Sequence, residues 1–175
     1  RKERGEKARD IMRAIIENAS VASACRYAIC QDTGMPVVFA WVGQDAHIQG
    51  DFQSAVTRGI EDGYQRAYLR NSIVQDPLER GTPGYSPAVI HTEVVRGSRL
   101  RLTVLPKGFG CENKSQLAMF SPTAERKQIK DFIIEAVRTA GPDACPPYVV
   151  GVGIGGTADY ACLLAKKALL RPIDR

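Results

Sequence analysis

Three patterns predict an α+β fold (mixed α/β), with helices packed on one or two mostly antiparallel or mixed sheets. Apolar residues recur every three or four positions in several stretches. A short valine-rich run reads as a buried strand, and a further segment alternates strictly between aliphatic and polar residues. Helical and strand periods interspersed in one chain call for helices covering a sheet.

The elements follow in order. From Lys7 to Ala22, the residues Ala8, Ile11, Met12, Ile15, Ile16, Ala19 and Ala22 form one helical stripe, expected to be buried. A tight segment from Tyr27 to Met35 breaks this pattern at Asp32-Thr33-Gly34, and Pro36 to Val42 follows as a buried strand. Phe52 to Leu69 is helical in spacing. Its Gly59 and Gly63 each weaken a helix by about 1 kcal/mol and are read as close-packing positions instead. After the turn-rich stretch Glu79 to Ser86, Pro87–Val95 and Arg99–Leu105 read as a hairpin across Arg96-Gly97-Ser98. In its second arm Leu100, Leu102 and Val104 are expected on a buried face, opposite Arg99, Arg101 and Thr103. Ile129 to Ala140 marks another helix. Tyr148 to Ile154 is expected as a buried strand, and Gly155-Gly156-Thr157 leads into a last helix ending near Leu170, stopped by Pro172.

The chain has 175 residues, 44% hydrophobic and 25% charged, which suits one soluble globular domain over 1–175. Its 24 Lys and Arg against 19 Asp and Glu give +5, an excess spread along the chain. That suits an anionic small ligand better than nucleic acid. No apolar run approaches the ~20 residues of a membrane span. The opening Arg1–Asp10 is of mixed charge with no apolar region after it, so a reducing, cytoplasmic compartment is expected. The five cysteines, Cys25, Cys30, Cys111, Cys145 and Cys162, include no CxxC pair, and a zinc ribbon or thioredoxin motif is not expected. Cys25 and Cys162 lie on helical stripes and read as core residues.

Three loops hold reactive groups beside glycine or proline. Cys30-Gln31-Asp32-Thr33-Gly34 crowds a thiol, an amide, a carboxylate and a hydroxyl onto a turn whose glycine allows positive φ. A helix-to-strand connection with an Asx-turn at Asp32 is an equally good reading of that loop alone. Pro106 to Ser115 combines Gly108 and Gly110 with Lys107 and Lys114, a set able to hold a carboxylate or phosphate, although a solvated loop is the plainer reading. It does not have the Walker order. Cys145-Pro146-Pro147 should hold its cysteine extended. The glycines Gly151, Gly153 and Gly156 fit G-x-G-x-x-G but begin inside the expected strand, with no acidic partner about 20 residues on. Close backbone packing explains them better than a dinucleotide. From spacing alone, Arg70 reads as a helix C-terminal cap and His91 as a sheet histidine.

Taken together, the loops resemble the α chain of the class I, iron–sulfur fumarate hydratases and the related L(+)-tartrate dehydratases. The likeness is carried by Glu17-Asn18-Ala19, Ile29–Gly34, Tyr68-Leu69-Arg70-Asn71-Ser72, Pro87–His91, Lys107–Ser115, and the run from Cys145 through Thr157 to Leu170-Arg171-Pro172. It covers nearly the whole chain in the family's order. The resemblance implies a hydro-lyase interconverting fumarate and malate, with L(+)-tartrate dehydration as the alternative. It implies a [4Fe–4S] cluster held by three cysteines, with an open iron acting as a Lewis acid. By the same resemblance Cys30 and Cys145 are two of the ligands, and the third is expected beyond the supplied chain, which reads as an internal piece of the α chain. Gln31 and Asp32 resemble substrate contacts, Asp32 being the candidate for proton transfer, and Arg70 matches an arginine that binds a substrate carboxylate. Gly108 and Gly110 are expected in the same pocket, with His91 in support.

The implied partners are a small dicarboxylate, a β subunit or β domain without which the chain is inactive, and an oligomer. Cys111 stands where the family often has serine and reads as a bystander. A reading of a different class is a clusterless structural module that docks on a partner chain.

Overall fold

The computed structural model describes residues 5–172 and divides the chain into two compact units, Arg1–Pro106 and Lys107–Arg175. Five helices and a three-stranded mixed sheet make the expected mixed α+β fold.

The first unit opens with helix α1 (Glu6–Cys25), which ends where Arg26 turns left-handed and returns its N–H to the Ala22 carbonyl. Its apolar stripe is not buried: Ile11, Met12 and Ile16 are all exposed, Ile16 at 64%. Spacing specifies a face that would bury well; it does not supply the surface that buries it. Cys25, at the end of this helix, is exposed for the same reason rather than being a core residue.

Strand β1 (Met35–Gly43) is buried along most of its length because it is the central strand, in the order β2-β1-β3. Strand β2 (Val89–Val95) pairs with it in parallel, Val38 opposite Ile90 and Phe39 opposite His91. A parallel neighbour requires a crossover, and helix α2 (Phe52–Arg66) supplies it, its first turn capped by the Asp51 carboxylate accepting from Ser54 N at 3.1 Å. Val38, Ile60 and Tyr64 form the core between sheet and helix, with Val56, Leu69, Tyr85, Ala88 and Ile90 packed around them. On the other face Phe39 stacks between Trp41 and His91, and the Arg101 guanidinium lies 4.0 Å over the Trp41 ring.

The expected β2–β3 hairpin is not formed. Strand β3 (Leu100–Lys107) joins the opposite edge of β1, so the short connection after Val95 passes over the C-terminal end of β1. Backbone bonds hold it there: Gly43 N to Arg99 O, Gln44 N to Val95 O, and Asp45 N to Gly97 O. Gly43 makes the crossing possible, because a Cβ at that position would lie 2.2 Å from the Gly97 oxygen. Nor is the aliphatic face of β3 buried. Leu100, Leu102 and Val104 are each 45–46% exposed, since the α2 core reaches β1 and β2 only. Gly59 and Gly63 do not serve close packing either, for a Cβ at each meets nothing within 4 Å.

In the second unit a one-turn helix α3 (Phe109–Glu112) precedes α4 (Arg126–Ala140), whose start carries a reciprocal capping box between Glu125 and Gln128. A 3₁₀ turn over Gly141–Ala144 buries Ala144, and α5 (Ala158–Ala168) closes the described chain before Pro172. The buried strand expected over Tyr148–Ile154 is absent. The segment is irregular, with Val149, Val150, Val152 and Ile154 exposed, because it finds a helix for a neighbour and no strand among the described residues. Gly151 and Gly153 press on the α5 backbone, where a Cβ would meet the Ala165 and Ala161 carbonyls at 2.1 and 2.0 Å. Close backbone packing thus accounts for Gly151 and Gly153, while Gly155 and Gly156 take positive φ at the turn into α5. Cys162 lies off the contact made by Ala161, Leu164 and Ala165 and is exposed, not a core residue.

Candidate functional site

In the first unit, the Cys30–Gly34 turn is joined to the segment that carries Arg70. Asn18 of α1 donates to the Ile29 carbonyl at 2.8 Å and holds the approach to the turn. Gly34 takes a φ of +54°, as the sequence anticipated, and swings the chain from the turn into β1. Within the turn the half-buried Cys30 sulfur accepts from Asp32 N at 3.4 Å, its thiol lies 3.7 Å from Gln31 Oε1, and Thr33 N donates to the Gln31 carbonyl. Gln31 is exposed and Asp32 half-buried.

Arg70 is not the helix cap. The helix ends at Arg66 with Ala67 as cap, and Tyr68 turns left-handed at φ +54°, placing Arg70 in the loop beyond. That loop is joined to the turn by a hydrogen bond from Arg70 N to Thr33 Oγ1 at 3.0 Å. The turn thus carries a thiol, an amide and a carboxylate, and the joined loop a guanidinium with no ion-pair partner among the described residues. A guanidinium fork can orient an oxyacid, and a carboxylate can exchange a proton with it. His91 is placed elsewhere on the sheet, its ring 5.3 Å from that of Phe39.

In the second unit Gly108 caps α3, and Gly110 lies within its single turn. The two lysines of this loop are already engaged. Lys114 pairs with Asp143 at 3.1 Å, while Lys107 Nζ lies 3.4 Å from Glu112 Oε2 and 2.9 Å from Cys111 Sγ. Lys166 of α5 donates to the other oxygen of Glu112. Burial pushes the Glu112 carboxyl up, but the hydrogen bond and charge of Lys166, reinforced by Lys107, win and hold it below its ordinary value.

The Lys114–Asp143 pair ties the glycine loop to the 3₁₀ turn that carries Cys145. Cys145 is exposed but not extended. It is left-handed, at φ +57°, because it terminates the 3₁₀ turn by donating its N–H to Pro142 O. Capping overrides the preference for extended backbone before proline.

The donor chemistry suits an iron–sulfur centre. Cys30 and Cys145 are free thiols outside the core, and Cys30 already receives a backbone N–H on sulfur, the kind of bond that tunes cluster thiolates. Among the described residues no three His, Cys, Asp or Glu side chains converge to hold a metal. Nor is any helix among them long and apolar enough to cross a membrane. Thr33 entered the sequence reading only as the hydroxyl of its turn, and Glu112 and Lys166 were given no role, since each acts through a partner remote in the chain.

Fold and site together describe a mixed α+β chain with acid, amide, guanidinium and free thiols on loops. The sequence profile described as "Fumarate hydratase (Fumerase)" matches residues 1–175, and the chain belongs to this family. It is similar to a protein of Methanocaldococcus jannaschii provisionally named L(+)-tartrate dehydratase subunit alpha, 37% identical over 99% of this chain and 63% of the relative. It is also similar to L(+)-tartrate dehydratase subunit alpha of Escherichia coli strain UTI89, 30% identical over 93% of this chain and 55% of the relative. The K12 strain's subunit of the same name is 29% identical over the same shares. The chain thus spans a little over half the length of these relatives.

Proposed function

We propose that this chain is the α-chain part of an iron–sulfur hydro-lyase that interconverts fumarate and malate by reversible hydration. The observation that carries the reading is the hydrogen bond that joins the Arg70 loop to the Cys30–Gly34 turn. When bound, a [4Fe–4S] cluster with an open iron supplies a Lewis acid for the hydroxyl group. Cys30 and Cys145 would serve as two of its ligands. Arg70 takes a substrate carboxylate in its fork and sets the orientation. Gln31 offers its amide to a substrate oxygen, and backbone N–H groups at Gly108 and Gly110 contribute to carboxylate binding. Asp32 moves the proton at the carbon adjacent to the one bearing the hydroxyl.

L(+)-tartrate is the second reading, supported by the names of relatives 37% and 30% identical to this chain. Those names also speak of an α subunit, and we propose that activity needs a β partner within a larger oligomer. An anaerobic iron and sulfide count on the chain co-expressed with its β partner tests the reading, with fumarate and tartrate turnover followed on the same sample. About four irons with fumarate turnover is the expected result. Four irons with tartrate turnover alone would select the second reading, and no iron after reconstitution would sink both.

A further inference from the structure

Arg70 stands 37 residues from Thr33, on a loop without regular structure. Leu69 N returns to Tyr64 O at the end of α2, Ser72 N closes on Arg70 O, and Ile73 bridges to Gly84. Each of these shapes the loop internally or ties it to α2 and to the segment around Gly84. The bond from Arg70 N to Thr33 Oγ1 relates it to the turn holding Gln31 and Asp32. Thr33 is suited to this work. It is only 6% exposed, its N–H is committed to the Gln31 carbonyl, and its β-branched side chain has few rotamers to lose. A buried hydroxyl acceptor facing a backbone N–H is costly to remove without replacement.

We infer that Thr33 is a positioning residue for substrate binding: its hydroxyl holds the Arg70 loop in register with the Gln31–Asp32 turn. The guanidinium then holds one carboxylate of the small dicarboxylate while the Asp32 carboxylate faces the carbon whose proton it moves. This rests on the reading that Arg70 binds a substrate carboxylate. Misplacement of an orienting group by about 1 Å can cost up to ~100-fold.

The test is a double-mutant cycle in the enzyme assembled anaerobically with its β partner, using whichever of fumarate and L(+)-tartrate it turns over. Thr33→Val should raise KM about tenfold with iron content unchanged and kcat less affected, while Thr33→Ser stays within about twofold. In an Arg70→Gln background, Thr33→Val should add less than about twofold, because the group it positions is gone. A tenfold effect that persists there, or a serine variant as impaired as the valine one, overturns the inference and leaves the role of Arg70 standing. If Arg70→Gln leaves KM unchanged, or neither substrate turns over, the reading itself fails and takes the inference with it. Should Thr33→Val not fold, amide exchange on the unsubstituted enzyme decides: the Arg70 N–H should be protected, and exchange at the rate of an open loop overturns the proposal.

Discussion

Tyr64 carries its hydroxyl into the core of the first unit, where it is 3% exposed and finds no hydrogen-bond partner among the described residues. Burial pushes it up to about 12. Because that lies above its value in the unfolded chain, its contribution to stability is complete below about pH 10 and is lost as pH rises towards 12. Denaturant unfolding should therefore show an alkaline loss of stability that Tyr64→Phe removes. Near neutral pH the phenylalanine variant should be as stable as the parent or up to about 1 kcal/mol more so. A variant much less stable at pH 7 would mean the hydroxyl has a partner. Glu112 runs the other way: its depressed value makes its bridges to Lys166 and Lys107 stabilising above the ordinary carboxylate range and weaker as pH falls through it. The Tm gap between parent and Glu112→Gln should be open near neutral pH and close as pH falls below the ordinary carboxylate range. Neither residue announced itself in the sequence. A glutamate in a glycine loop looks solvated until Lys166, 54 positions away, is folded against it.

At the scale of elements, the valine-rich run of β1 was legible because a central strand buries both faces and needs no alternation. The misread hairpin has an equally definite cause. Alternation in β3 reports which residues share a face, whereas a strand's neighbour is a matter of where the connection passes. Gly43 is the position on which that passage depends. Gly43→Ala puts a methyl group against the Gly97 backbone, and should destabilise by about 2 kcal/mol or more, read as a lower denaturation midpoint. Gly59→Ala, in open space on α2, should instead stabilise by roughly 0.5–1 kcal/mol through helix propensity. Similar losses for both would contradict the crossing. The expected strand over Tyr148–Ile154 shows the same limit: its apolar residues were seen, but a ladder needs a partner, and the partner here is the backbone of α5.

For the whole molecule, the family is established along the full chain, while cluster ligation and turnover belong to the proposal. Cys30→Ser and Cys145→Ser should each abolish iron binding in the reconstituted enzyme, and Cys162→Ser should leave it nearly intact, measured as iron per chain. Equal loss in all three would overturn the ligand choice. An open iron reached by substrate is also reached by oxygen, so activity should decay in air and survive under nitrogen. Full activity after long aerobic incubation would count against the cluster.

What the sequence by itself determined was local in origin: the helices α1, α2, α4 and α5, the central strand, the turn at Asp32-Thr33-Gly34, and the motifs that place the chain in its family. Each is written in periodicity, in turn chemistry or in a run of adjacent residues. Only the tertiary structure decided that β3 lies across β1 from β2, that the stripe of α1 and the aliphatic face of β3 stay open, and that Cys145 is left-handed. It alone joined Thr33 to Arg70 and Glu112 to Lys166. Those contacts span tens of residues, and burial or pairing at such distances is a property of two surfaces meeting, which no single stretch of chain contains.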